Sequence, residues 1–203
     1  MKSGWNKCAV LFYFIGIVLS CIMAETENNT QGKIDQVTFG AGCFWCVEAV
    51  FERLEGVIDV QAGYAGGSSE NPTYEEVCAG KSGHAEVIRI DYDPSIIRFE
   101  KLLDVFWKSH DPTTLNRQGG DVGTQYRSAI LYHNAVQKTA AEKSLAATDS
   151  SDMYVHPIVT EVLPMVRFYL AEQYHQNYFK NNSSAPYCML YIQPKLTKLF
   201  SSE

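Results

Sequence analysis

Val37-Thr38-Phe39-Gly40-Ala41-Gly42-Cys43-Phe44-Trp45-Cys46-Val47 is the stretch on which the reading of this chain turns. Val37-Thr38-Phe39 reads as a strand, and Gly40-Ala41-Gly42 as a sharp turn out of it. Val47, Val50, Phe51 and Leu54 then recur at helical spacing, so a helix starts close to Cys43. The first turn of a helix leaves N–H groups unpaired and carries the positive end of the helix dipole. A thiol placed there is predicted to ionise more easily, and the thiolate is the nucleophile. Cys46 follows on the same face of the helix. It is either a second redox thiol, as in other Cys-x-x-Cys pairs at helix starts, or a core residue one turn in. Phe44 and Trp45 are either core aromatics or an apolar wall beside Cys43, suited to a methyl or thioether group.

Beyond this stretch, Val57 to Tyr64 alternates as a strand and runs into the loop Gly66-Gly67-Ser68-Ser69. Residues 68–82 read as irregular with one helical turn. Ala85 to Ile90 alternates strictly and is a strand. Phe99, Leu102, Leu103, Phe106 and Trp107 mark an amphipathic helix that Asp111-Pro112 ends. A long polar loop from Thr113 to Tyr126 follows, and loops of that length in compact domains are often functional. Strands are predicted at 129–132 and 158–162, and helices at 135–147 and 168–179. The tail from Tyr187 to Leu199 is apolar enough to pack back. Strands and helices mix without regular alternation. The fold class is therefore α/β (α+β): one compact domain with a mixed central sheet, flanking helices and long functional loops.

Composition bounds the partners. The 203 residues are 46% hydrophobic and 20% charged, which suits one globular domain. A formal net charge of −6 with no basic tract argues against nucleic acid as a partner. Nothing requires more than a monomer. Residues 1–24 differ in kind. Lys2 and Lys7 precede an apolar run from Cys8 to Leu19, with small residues after it, which reads as a secretory signal and is short for a membrane span. Val18-Leu19-Ser20-Cys21 resembles a lipobox, which would leave a lipid anchor on Cys21; cleavage after Ala24 is the simpler alternative. Residues 25–33 read as a flexible tether and 34–203 as the catalytic domain. The protein is thus expected to be exported, whether periplasmic, membrane-anchored or secreted. Of six cysteines, four fall beyond the leader, too few for a disulfide scaffold. No cysteine–histidine spacing makes a four-ligand zinc site, so no metal and no bound cofactor is expected.

Several polar residues could converge on Cys43. Glu86, after Gly83-His84-Ala85, is a solvated strand-end carboxylate unless partly buried; buried, it could stay protonated and act as a general acid. Tyr74, Tyr126 and Asp121 sit at loop positions, and tyrosine hydroxyls are neutral donors that can hold a polar oxygen. No histidine pairs convincingly with Cys43, which removes a cysteine-protease reading.

These residues lie in segments that resemble the A-type peptide methionine sulfoxide reductases. The segments are GCFWC at 42–46, GYAGG at 63–67, NPTYEEVCAG at 71–80, GHAE at 83–86, HDPTTLNRQGGDVGTQYRS at 110–128, AEQYHQNYFK at 171–180 and PYC at 186–188. They run in order across most of the domain. The resemblance implies reduction of the S epimer of methionine sulfoxide, free or in oxidised proteins, as repair of oxidative damage. It places Cys43 on the catalytic cysteine, and Phe44 and Trp45 on the pocket for the substrate methyl. Glu86, Tyr74 and Tyr126 fall on groups that bind and protonate the sulfoxide oxygen, and Asp121 on a residue that helps place the substrate. Cys43 would become a sulfenic acid, a second thiol would condense with it, and a thioredoxin-like donor (dithiothreitol in vitro) would reopen the disulfide. For the resolving thiol the resemblance favours Cys188, with Cys46 close behind. Cys188 matches a family position although the glycine-rich tail around it is missing, whereas Cys46 is nearer in the chain and stands where many relatives have glycine. Cys78 reads as structural. Two other functions compete: a thiol–disulfide oxidoreductase using Cys43 and Cys46, and a protein that binds oxidised methionine without turning it over.

Overall fold

The computed structural model describes residues 34–201. The leader and tether predicted for 1–33 lie outside the described residues. The opening strand, β1 (Asp35–Ala41), is the hub of the sheet. It pairs antiparallel with β3 (Ala85–Tyr92) on one side and with β6 (Ser128–Tyr132) on the other. Both its faces are covered, which suits its continuous apolar run. Phe39 packs on Phe51, Phe99 and Phe106, with ring centroids 5.5, 6.5 and 4.8 Å away. On the other face Thr38 Oγ1 meets His133 Nε2 at 2.9 Å.

β2 (Val57–Ala65) pairs with β3 and carries β8 (Phe168–Leu170) at the far edge. At the opposite edge β7 (Glu161–Pro164) runs parallel to β6, and the intervening helix α4 (Ala135–Asp149) is the crossover. The six-stranded order is β7-β6-β1-β3-β2-β8. One face carries the main core under α1 (Phe44–Phe51) and α3 (Phe99–Ser109). A smaller apolar cluster of Ala65, Ala85, Val87, Ala129 and Leu131 fills the other face. The mixed sheet with flanking helices is the predicted fold class.

This topology collects the site. Ala41 lies opposite Ser128, and Ala65 opposite Ala85. The end of β1, the start of β3 and the start of β6 therefore share one end of the sheet, which brings Cys43, Glu86 and Tyr126 together.

Two predicted elements differ. The helix at 168–179 does not form. Phe168–Leu170 pairs with Gly63–Ala65 as edge strand β8 instead. The rest is a 3₁₀ turn at Gln173–His175 and a short helix α5 (Tyr178–Asn181), entered through Asn177 at φ +53°. Sheet pairing and side-chain ties outcompeted the helical spacing of its aromatics: the Gln176 amide bonds the backbone of Ala62 and Ala171. The strand predicted at 158–162 sits later, at 161–164. The backbone N–H groups of Ile158 and Val159 are taken by Asp149 Oδ1 and the Pro112 carbonyl. The long loop at 113–126 holds a two-strand ribbon, β4 (Arg117–Gln118) with β5 (Asp121–Val122), and a 3₁₀ turn at Thr124–Tyr126. The tail folds as a π-helical turn at Cys188–Ile192 leading into α6 (Gln193–Phe200).

Candidate active site

Gly42 makes the turn at φ +86°, in the left-handed region, and a Cβ there would lie 2.6 Å from Gln118 Cγ. Cys43 then caps α1. Its carbonyl accepts from Cys46 N at 3.0 Å and Val47 N at 3.3 Å. The first free N–H of the helix, on Phe44, donates to Glu86 Oε2 at 3.1 Å. The helix start is thus aimed at the carboxyl of Glu86 rather than at the thiol. Glu86 is 1% exposed, and burial raises its pKa to about 8 against the opposing pull of the Phe44 N–H. Nearby Asp121 and Cys46 add to the rise. Near neutral pH Glu86 is mostly a protonated acid.

The prediction that the helix start lowers the pKa of Cys43 is not met. Burial pushes this thiol well above its ordinary value, and Cys46 and Glu86 push it further. Cys46 moves the other way, to about 7, chiefly because the Cys43 thiol donates to it. Lys195 and the Tyr187 hydroxyl also favour its charge. Physically the two sulfurs share one weakly held proton and one tightly held one.

The aromatic surroundings extend well beyond Phe44 and Trp45. Phe44 is fully buried, 4.8 Å from the His175 ring and 6.0 Å from Tyr64. Trp45 is half-buried. Its Nε1 donates to His175 Nδ1 at 3.0 Å, and its face stacks on Tyr178 at 3.6 Å. Because His175 Nδ1 accepts, the neutral ring carries its proton on Nε2, 3.8 Å from Glu172 Oε2. Burial lowers the pKa of this ring, which keeps it neutral. Glu172 also accepts from the Tyr64 hydroxyl at 2.7 Å and from Tyr74 N at 3.0 Å. Tyr74 opens α2 (Tyr74–Cys78), which a capping box of Thr73 and Glu76 starts. On α1, buried Glu48 accepts from Asn177 N and Tyr178 N at 2.9 and 3.1 Å. The segment 172–178 is therefore a brace that sets the positions of Tyr74, Trp45 and Tyr178 together.

Tyr74 and Tyr126 are half-buried, and burial chiefly raises both hydroxyl pKa values, so both remain proton donors. Asp121 accepts from the Tyr187 hydroxyl at 2.9 Å, and that hydroxyl lies 3.6 Å from Cys46 Sγ. A cavity of about 110 Å³ exposes the two sulfurs between the 118–121 ribbon and Tyr187, Tyr191 and Lys195. Cys43, Phe44, Trp45, Cys46, Tyr74, Glu86, Asp121 and Tyr126 thus fall in or beside one site, while Cys21 lies outside the described residues. Cys188 is fully buried with Cys46 as its charged neighbour. Cys78, read as structural, is an exposed thiol beside Tyr74 rather than a core residue. Sequence reasoning missed Glu48, Tyr64, Glu172, His175, Tyr178 and Tyr187. Five of these, Glu172, His175, Tyr178, Tyr64 and Tyr187, lay inside segments already singled out. The misread helix at 168–179 hid the first three. Among the described residues no group of three or more His, Cys, Asp or Glu side chains is placed to hold a metal ion.

A family model described as peptide methionine sulfoxide reductase matches residues 35–203. The chain is 54% identical over 168 residues to the peptide methionine sulfoxide reductase of Acinetobacter baumannii strain SDF, covering 83% of this chain and 95% of the relative. Among solved structures it resembles Mxr1 from Saccharomyces cerevisiae in reduced form, with a TM-score of 0.73 and 32% identity, over 81% of this chain and 94% of that one. Mxr1 has also been solved in complex with Trx2; that structure matches with a TM-score of 0.52 and 24% identity, over 76% of this chain and 91% of that one. The methionine sulfoxide reductase A of Corynebacterium diphtheriae matches with a TM-score of 0.68 and 35% identity, over 77% of this chain and 78% of that one.

Proposed function

Since the chain belongs to the peptide methionine sulfoxide reductase family and is an oxidoreductase of methionine sulfoxide, we propose that it acts on the S epimer through Cys43. The observation that carries this reading is the buried Glu86 carboxyl, its pKa raised by burial to about 8, bonded to the residue next to Cys43. An acid and a nucleophile on one short arc suit a sulfoxide, whose oxygen leaves only when protonated.

The resting pair is Cys43–SH donating to the Cys46 thiolate. Transfer of that proton to Cys46 runs uphill, by about 1.4 kcal/mol for each pKa unit between the two thiols, and frees the Cys43 thiolate only as substrate binds. It attacks the sulfoxide sulfur while Glu86 gives its proton to the oxygen. Tyr126 and Tyr74, both neutral donors, hold that oxygen. The S–O bond of the substrate breaks, the hydroxyl moves to Cys43 as sulfenic acid, and methionine leaves. Phe44 and Trp45, braced by His175 and Tyr178, hold the methyl group. Asp121 orients the Tyr187 hydroxyl over the sulfurs and helps place the substrate.

The thiol of Cys46 then condenses with the sulfenic acid, releasing water and forming a disulfide. Cys46 is preferred over Cys188, the position favoured by the family pattern, because the Cys46 sulfur already interacts with Cys43, whereas Cys188 is fully buried and interacts with Cys46. A thioredoxin-like dithiol reopens the disulfide by exchange, supplying the two electrons that balance the reaction. The enzyme works on oxidised proteins or free methionine sulfoxide as a monomer. Export follows from the leader, with cleavage after Ala24 or lipidation at Cys21, which the intact mass of the exported protein distinguishes.

The decisive assay offers separated S and R epimers of a blocked methionine sulfoxide with dithiothreitol to wild type and Cys43→Ser. Turnover of S alone by wild type, and of neither epimer by the variant, is the expected result. An inactive wild type, or an active Cys43→Ser, ends this reading.

A further inference from the structure

The thiol cavity has a larger neighbour. A groove of about 800 Å³ shares Gln118 and Lys195 with it and runs on between α3, the 153–154 segment and α6. That size is near the upper end of ligand pockets, which span about 300–1,000 Å³. It is far more room than a single methionine side chain requires.

Its lining runs against the charge of the chain. The whole protein carries −6, yet Lys108, Lys195 and Lys198 line the groove, and none of their ammonium groups is paired among the described residues. Asp111 is the sole lining acid, and its carboxylate is already taken up by Thr113 N and Oγ1 at 2.9 and 2.6 Å. The lining His110 is buried, and burial lowers its pKa to about 4, so it adds no charge near neutrality. Met153 and Leu199 supply apolar contact beside the three cations.

We propose that this groove receives the polypeptide flanking the oxidised methionine, and that the segment it fits is acidic. The proposal rests on sulfoxide reduction at Cys43. A chain lying in the groove reaches the thiol cavity across the shared Gln118 and Lys195. Aspartate or glutamate a few residues from the sulfoxide would meet Lys108 and Lys198, while apolar neighbours would meet Met153 and Leu199. Free methionine sulfoxide would gain nothing from the groove, so the effect is on substrate choice and not on the chemical step.

The test uses three substrates of one sulfoxide epimer: a peptide flanked by aspartates, the same peptide flanked by lysines, and the neutral N-acetyl methionine sulfoxide amide. Dithiothreitol serves as reductant, so that docking of a protein reductant plays no part. Wild type should favour the acidic peptide by roughly three- to tenfold in kcat/KM at low salt, the range that a few exposed charge pairs supply. The preference should shrink in high salt. Lys108→Gln/Lys198→Gln should abolish most of it, and Lys108→Glu/Lys198→Glu should reverse it. Neither residue lines the thiol cavity, so turnover of the neutral amide should be unchanged in both variants. Equal kcat/KM for the two peptides, or a preference that survives both double variants, overturns the proposal. So does an effect of the lysines confined to the KM for a thioredoxin, which would assign the groove to the reductant. An enzyme inactive on all three substrates refutes the sulfoxide reading itself; one active on all without preference refutes only the groove.

Discussion

Glu86→Gln should make the protein more stable and nearly inactive, and the size of the gain should depend on pH. The carboxyl is buried, with a folded pKa of about 8 against an ordinary 4.5. Between those values the unfolded chain releases a proton that the folded chain keeps. The folded state therefore binds more protons, and stability falls as pH rises. The slope is about 1.4 kcal/mol per pH unit, or ~5 kcal/mol across the interval as an upper bound. This contribution is fully present below 4.5 and is lost as pH rises through 8. Glutamine keeps an oxygen to accept from Phe44 N and removes the titration. Urea melts at pH 5, 7 and 8.5 should show the variant close to wild type at pH 5 and pulling ahead as pH rises. Glu48, whose shift does not involve Glu86, is common to both proteins and cancels in the difference. At pH 7 kcat/KM should fall by about 10²–10⁴ through loss of the general acid. In wild type kcat/KM should decline as pH passes 8, where the acid form disappears. A stability gap that closes or reverses with rising pH would mean that Glu86 is ionised and stabilising, and its assignment as the acid would fail.

The other expectations concern the pair of sulfurs and its supports. Cys46→Ser should still convert one sulfoxide per enzyme in a rapid-quench experiment, more slowly because the base for Cys43 is lost, and then stall with thioredoxin, whereas Cys188→Ser should keep turning over; the opposite pattern would transfer the resolving role to Cys188. Glu48→Ala leaves the part-buried N–H groups of Asn177 and Tyr178 without their partner, at up to about 1–3 kcal/mol each, and should lower the melting temperature. It should also raise KM more than it lowers kcat, because the Tyr178–Trp45 stack that walls the methyl site loosens; steady-state kinetics separate the two. Gly42→Ala should cost about 1–2 kcal/mol in denaturant melts for its left-handed backbone alone, and more because its Cβ meets Gln118.

The parts of the fold that could be read from the sequence are those in which pattern and packing agree. Val37 to Phe39, Ala85 to Ile90 and the apolar stripe of Phe99 to Trp107 each bury the face that their periodicity marks. Segment 168–179 could not be read because its spacing satisfies a helix while its partners are distant. Phe168–Leu170 finds the free edge of β2, and Gln176 finds the backbone of Ala62. Neither partner leaves a trace in the local sequence. The same holds for Glu48, which looks like an ordinary helix carboxylate until the chain at 177 turns left-handed above it.

The site shows the same division at the level of charge. Position along the chain put Cys43 at a helix start, and from that a lowered pKa seemed to follow. Two facts absent from the sequence reverse it. Glu86 occupies the first N–H of that helix, and the site is buried enough that desolvation of a thiolate outweighs the remaining dipole. Ionisation is instead assigned to the neighbour, where Lys195 and Tyr187 stabilise it, with Cys43 donating to Cys46. In the proposed mechanism Cys43 therefore stays a thiol until substrate draws its proton across. Cys46, proposed to resolve the intermediate, then has a use before any disulfide forms, as the base that activates Cys43.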